Sequence, residues 1–498
     1  MIVIKGVICI RTSGILLAVS SLPSRYGIGD FGQEAHAFID LLVKSQMKLW
    51  QVLPLNPLGY GNSPYQPYSS KAMDELYLSL DVLHEQGLIK KPKPFKALET
   101  KVHYDDVRQY KSKYYQEAFK TFRPNARYQT FLKENPWVEI YAIFVTFKEL
   151  HQLQMWTTWQ KEFKTYVKNK AIDLTPYLPR IQYHQMIQFL LFEQFNALKK
   201  YANRKGIQLV GDIPIYVGID SIDVWMNQSQ FMITADGEPT HIAGVPPDYF
   251  SKTGQRWGNP LYRWDVMEKD GFKFWIDRLG FNATLFDIIR IDHFRAFDTY
   301  WKIPATCPTA VEGAWIEAPG YALFDAIYEH LPKINIIAED LGDLRPQVLQ
   351  LRDHYRLPGM KIFQFEFPIY PDGNGQMPKA IPPKLVENSI AYTGTHDNQT
   401  TMGWYASLKP TSQSQLAIFL KPYVGTVAEQ LVQLTLQSAV NYAILPMQDL
   451  LSLDDSARMN VPGTIGSPNW EWKLKDFSGF ESMIKKIKTW VVNSKRLA

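Results

Sequence analysis

Along this chain, short runs of aliphatic and β-branched residues recur, and several of them end in an acid. The runs cover residues 14–19, 49–55, 208–215, 286–292, 335–339, 360–367, 389–395 and 441–445. Near-continuous apolar runs of this length predict strands buried on both faces, as in a parallel sheet. Helical patterns separate most of them, for example at 33–45, 272–279 and 345–354. Eight strand–helix units predict an α/β fold, a (β/α)8 barrel.

One gap breaks the rhythm. About 150 residues separate the second and third runs, too many for a structureless connection inside a compact domain. The gap carries helical pattern at 110–122, 126–134, 137–153 and 183–204. We read residues 76–205 as an inserted, mostly helical subdomain after the second strand, within one domain spanning 1–498. An independent N-terminal domain ending near Lys205 is the alternative, but it leaves too few runs to close a barrel. There is no internal repeat and no low-complexity segment.

The first twenty residues hold Lys5, Arg11 and two short apolar runs. A secretory signal has this general look, but the second run ends at Ser20-Ser21-Leu22-Pro23, and we read it as a first buried strand. No apolar stretch reaches the ~20 residues that span a bilayer. Two cysteines, Cys9 and Cys307, form no metal-binding pattern and fit a reducing compartment. The expectation is a cytoplasmic protein that uses no membrane. A net charge of +5 over 498 residues gives no electrostatic case for nucleic acid.

Acids at the ends of the predicted strands change the picture. Active sites of parallel barrels lie at the C-terminal ends of the strands. Asp212, Asp292 and Glu339 each close an apolar run, and Asp397 follows Tyr392-Thr393-Gly394-Thr395-His396. A single acid there could be a loop residue or a helix cap. Four on different strands of one barrel converge on one mouth, and burying charge without a use is costly. Arg290 precedes Asp292 by two residues, so alternation puts both on one face, where the guanidinium keeps Asp292 ionised. Glu339, after an apolar run, suits a proton donor. Asp340 is its rival, but alternation turns it away. Glycoside chemistry requires such a pair: one protonated carboxyl and one ionised. His396 can donate to a sugar hydroxyl or serve as a structural histidine.

Two Gly/Pro-rich segments predict loops at this mouth. Residues 244–260 carry Tyr249, Phe250 and Trp257, rings suited either to sugar stacking and water exclusion or to pinning the loop. Residues 60–68 combine Ser63, Tyr65 and amides as a second wall. Aromatics make up 14% of the chain, which is compatible with sugar binding and also with core packing.

Together these segments resemble the 4-α-glucanotransferases, the amylomaltases or disproportionating enzymes of glycoside hydrolase family 77. The shared motifs include Gln51-Val52-Leu53-Pro54-Leu55, Gly211-Asp212-Ile213-Pro214-Ile215, residues 246–264, Arg290-Ile291-Asp292-His293-Phe294-Arg295, Ala338-Glu339-Asp340-Leu341-Gly342 and Gly394-Thr395-His396-Asp397-Asn398. The resemblance implies a barrel with inserted subdomains. It implies Asp292 as nucleophile, Glu339 as general acid/base and Asp397 as transition-state stabiliser. Ser63, Tyr65, Asp212, Tyr249, Phe250, Gln255, Trp257, Asn259, Arg290, His293 and His396 are the implied substrate-side set, with 244–260 as a lid. No metal or other cofactor is implied. The implied partners are maltooligosaccharides and other α-1,4-glucans, with glucose as an acceptor. Ala18, Lys71-Ala72-Met73-Asp74 and Glu366 depart from the common pattern. A plain α-glucan hydrolase, a catalytically silent glucan-binding protein and a phosphate-binding barrel are the competing readings. The second would lack one of the three acids, and the third lacks its Gly-rich loop.

Overall fold

The computed structural model describes residues 11–96, 99–247, 251–371, 375–383 and 385–497. Eight of the apolar runs form strands: β1 (Thr12–Leu16), β2 (Leu49–Gln51), β3 (Gln208–Ile213), β4 (Ile288–Ile291), β5 (Ile336–Ala338), β6 (Gly359–Ile362), β7 (Ser389–Tyr392) and β8 (Tyr442–Pro446). They pair in parallel, each with its neighbours in sequence, and β8 returns to β1 to close the barrel. Almost every strand residue is buried, which explains why the runs read as continuously apolar.

The strands are shorter than the runs that announced them. The run 360–367 holds β6 only to Ile362; Phe363–Glu366 turns into a short helix. Its apolarity comes from Phe363 and Phe367, which pack with Ile369, Trp404 and Leu416 in a second core cluster. The pairing of β5 with β6 is confined to Ala338 and Gly359. Asp340 reinforces this seam: its carboxylate accepts from Met360 N–H at 2.7 Å and pairs with Arg352. The alternation argument holds, since Asp340 is tied into the wall and away from the mouth.

Between β2 and β3 the chain is mainly helical, with Tyr104–Thr121, Ala126–Glu134, Trp137–Leu150 and Leu178–Arg204 as its longest helices. The last of these has two employments. Its first half packs through Phe189 and Phe192 on Tyr128, Phe131 and Trp137. Its second half lies on the barrel: Phe195 meets Phe31 and Phe286, Tyr201 donates to Asp40 at 2.8 Å, and Asn203 to Asp287 at 2.9 Å. The predicted boundary at 205 therefore falls after residues that belong to the barrel.

Residues 244–260 are not all loop. Strands His241–Val245 and Gln255–Pro260 form an antiparallel hairpin, extended by Thr299–Pro304 and Ala314–Glu317 from the connection after β4. The Gly and Pro residues that suggested a loop mark special points of this sheet. Pro246 and Pro247 follow the first strand, Gly254 turns with φ +67°, and the register slips between Ile242 and Gly244. Among the described residues no helix is long and apolar enough to cross a membrane.

Candidate active site

Arg290 on β4 organises the mouth of the barrel. Its Nη1 donates to both oxygens of Asp212, each at 2.7 Å, and its Nη2 lies 2.8 Å from Asp292 Oδ1. Asp212 and Arg290 share a register position on β3 and β4, and Asp292 follows two residues later on the same face. Asp212 also accepts from the Tyr65 hydroxyl at 2.9 Å, and its side chain is 0% exposed. It therefore anchors Arg290 and Tyr65 and offers no free edge to a ligand. Asp292 keeps 29% of its side-chain surface open.

Glu339 stands opposite on the adjacent strand. Ile291 of β4 pairs with Ala338 of β5 as the last pair of that ladder, so Asp292 and Glu339 are the first residues beyond the ends of two adjacent strands. Neighbouring strands are about 4.8 Å apart, a spacing that lets two carboxyls flank one bond. The Glu339 carboxylate accepts from His293 N–H at 2.6 Å and Leu341 N–H at 3.1 Å. His293 reaches it from a left-handed backbone, φ +54°, uncommon for a residue with a side chain. Burial, and then the Asp292 charge, push Glu339 up to about 8, against Arg290 and those two N–H groups. Burial also holds the His293 imidazole down at about 4.

Asp397 comes from the connection after β7. Thr395, just before it, donates through both N–H and hydroxyl to Asn398 Oδ1 at 2.9 Å, and Thr393 and Thr401 are tied to the buried Asp449. The carboxylate accepts from Asn460 at 2.6 Å and faces His396 Nε2 at 3.3 Å. Partial desolvation works against its charge, but His396 and then Asn460 outweigh it and hold Asp397 down at about 2. The His396 ring stacks on Tyr65, centroids 5.1 Å apart, with Trp470 at 5.9 Å.

The walls are joined to each other. Gln66 donates to the Trp257 carbonyl at 3.0 Å and to Asn259 Oδ1 at 2.9 Å, tying the segment after β2 to the hairpin. Trp257 presents its ring edge-on to His293, 4.8 Å between centroids, and its indole N–H bonds Gln255 at 3.1 Å. Ser63 sits half-buried beside Tyr65, whose N–H donates to its hydroxyl at 3.3 Å. Tyr249 and Phe250 lie outside the described residues. Ala18 lines a cleft together with Leu53, His396 and Met459. Lys71 pairs with Asp277 at 2.5 Å, Asp74 caps the turn at Glu75–Tyr77, and Glu366 faces Lys361 at 3.6 Å. Among the described residues no group of three or more His, Cys, Asp or Glu is placed to hold a metal ion.

Three residues of this site escaped the sequence reading: Arg458, Asn460 and Trp470. They belong to the connection after β8, whose Gly/Pro-rich stretch around Pro462-Gly463 and Gly466-Ser467-Pro468 carries the same loop signal as residues 60–68.

A closed parallel barrel with two acids at adjacent strand ends and a third acid within the field of the same Arg290 is the arrangement of a glycoside-transforming enzyme of the carboxylate type. The family described as 4-alpha-glucanotransferase matches residues 17–478. The chain belongs to this family and is an enzyme of the hexosyltransferase kind. It is 41% identical to a 4-alpha-glucanotransferase of Streptococcus pneumoniae, over 94% of each chain. It is 42% identical to that of Thermus thermophilus, over 93% of this chain and 95% of the relative. The amylomaltase of Streptococcus agalactiae, solved in complex with acarbose, superposes with a TM-score of 0.91 at 35% identity, over 98% of this chain and 99% of that one.

Proposed function

We propose that Asp292, Glu339 and Asp397 carry out 4-α-glucanotransfer by a retaining double displacement. The observation that carries this reading is the bridge of one guanidinium between Asp212 and Asp292, with Glu339 at the end of the adjacent strand, raised by burial and by the Asp292 charge. Asp292 attacks the anomeric carbon of an α-1,4-linked donor. Glu339, kept protonated by burial, gives its proton to the leaving 4-oxygen. A covalent glycosyl–Asp292 ester forms with inverted configuration, and the shortened glucan departs. Esterification removes the Asp292 charge that helped to push Glu339 up, so Glu339 now ionises more readily. It takes the proton from the 4-hydroxyl of the acceptor as that oxygen displaces Asp292, and the second inversion restores the α linkage. Asp397 holds sugar hydroxyls of the distorted ring, with His396 beside it.

The donors are α-1,4-glucans and maltooligosaccharides; the acceptor is the 4-hydroxyl of glucose or of another glucan. Acarbose bound by the Streptococcus agalactiae relative supports a glucan-shaped cleft. Transfer in place of hydrolysis requires that water be kept out while an acceptor is held, a task we give to the lid segment 244–260, which is anchored by the paired strands His241–Val245 and Gln255–Pro260. Residues 76–205, up to the barrel-packed half of the last helix, act as the inserted subdomain of a single catalytic domain. We place the protein in the cytoplasm on its sparse cysteine usage, two in 498 residues.

Incubation with maltotriose tests the reaction. Glucose together with longer maltodextrins, at a constant total of reducing ends, is the expected result. A steady rise in reducing ends without longer products would make the protein a hydrolase and overturn the proposal.

A further inference from the structure

We infer that Asn460 is a positioning residue for Asp397, its amide fixing the plane in which that carboxylate meets the sugar. The inference rests on the reading of Asp397 given above and adds a group outside the acids to the machinery.

The geometry is a double clamp. Asn460 Nδ2 donates to Asp397 Oδ1 at 2.6 Å, while His396 stands farther off, 3.3 Å from Oδ2. Behind the side chain, one guanidinium ties the two backbones together: Arg458 Nη2 donates to the Asp397 carbonyl at 2.9 Å and Arg458 Nε to the Asn460 carbonyl at 2.8 Å. The distance from residue 397 to residue 460 is thereby set from the main chain as well as from the side chains. Asn460 is itself held. Val461 N–H donates to Asn469 Oδ1 at 2.9 Å, Asn469 donates to Thr464 at 2.9 Å, and Trp470 N–H returns to the Met459 carbonyl at 2.7 Å. Residues 459–470 thus fold back on themselves, and the same fold brings Trp470 onto Tyr65 and His396.

Asp397 needs such a guide. Its side chain keeps 44% of its surface open, so packing alone does not fix its rotation. The charged and titratable groups around it are His396, Arg290, Arg458 and, across the ring stack, Tyr65. Arg290, Arg458 and the His396 ring favour the ionised form through charge, which acts on the carboxylate as a whole and dictates no single orientation. Asn460 is the neutral donor in the set. It supplies direction without adding charge, and its short hydrogen bond leaves Oδ2 to be shared between His396 and a substrate hydroxyl.

Two variants test this. Asn460→Ala removes the donor; kcat is expected to fall on the order of 10- to 100-fold, the size of one hydrogen bond to a charged group, with the donor KM changing much less. Asn460→Asp keeps the shape, replaces the donor by a second carboxylate and adds a like charge. It is expected to lower kcat and to move the acid limb of the pH profile upward, because Asp397 loses a bond that favours its charge and gains a repulsive neighbour. The same repulsion is expected to lower the unfolding midpoint of N460D, so the kcat and pH profile of each variant are read at a temperature where circular dichroism shows it folded. A wild-type kcat and pH profile in N460D overturns the inference, as does an N460A variant that alters KM alone. Asp397→Asn, measured alongside, separates two failures. An inactive D397N with an unaffected N460D sinks only the role of Asn460, whereas an active D397N sinks the reading of Asp397 itself.

Discussion

At the scale of single residues, the site separates two carboxyls by their surroundings. Asp292 has a guanidinium at 2.8 Å, while Glu339 is enclosed, accepts two main-chain N–H groups and lies beside the Asp292 charge. The proton needed in the first step therefore resides on Glu339 near neutral pH. Since its pKa is raised to about 8, the donor form is present below that value and is lost as pH rises through it. kcat/KM should fall roughly tenfold per pH unit above about 8, and a pH series with maltotriose reads this directly. Asp397, held at about 2, should contribute no acid limb above pH ~3. Asp292→Asn keeps the shape of the side chain and removes the nucleophile, so turnover should drop on the order of 10⁴-fold or more; substantial transfer by D292N would reject its role. The acids were legible because each closes an apolar strand. Asn460 was not, since an amide in a loop has no periodicity to mark it and its value lies in a partner 63 positions away.

Among elements, the hairpin of residues 241–260 illustrates what composition conceals. Its glycines and prolines announce a loop, yet two of its stretches are paired strands. Gly244 shows why glycine is needed there. A Cβ at this position would lie 2.1 Å from the Gln255 carbonyl oxygen on the facing strand. Gly244→Val should therefore force the two strands apart and loosen Trp257 over His293. The expected outcome is a larger share of hydrolysis, read as growth of total reducing ends during maltotriose turnover, with the fold retained by circular dichroism. The strands Thr299–Pro304 and Ala314–Glu317, which complete this sheet, went unread: the first finds a partner in His241–Val245 of a different connection, and the second is an edge strand, exposed along most of its length, that pairs with the first. By contrast, the barrel strands were readable within a few residues, since burial on both faces leaves its mark on every position. Their ends were not, because apolar residues continue into turns and short helices that pack against other clusters, as at Phe363–Glu366.

For the molecule as a whole, closure of the barrel is reinforced by a buried arginine. Arg496 is 0% exposed and donates to four main-chain carbonyls: Leu436 at 2.6 Å, Ser438 at 2.9 Å, Thr12 at 3.0 Å and Asn441 at 3.2 Å. Two of these lie at the end of helix Val427–Gln437, whose exposed carbonyls favour a cation; the other two precede or begin the paired strands β8 and β1. Arg496→Ala should cost about 3–4 kcal/mol, seen as a lower unfolding midpoint, with residual folded enzyme retaining its kcat. The 27-residue helix Leu178–Arg204 has a different consequence. It is a rod of roughly 40 Å with no joint between its two employments, so the lobe at its far end cannot swing as a hinged cap over the cleft. Any engineered excision of that lobe would have to splice inside the rod, leaving the stretch around Phe195 in place to roof the wall between Phe31 and Phe286.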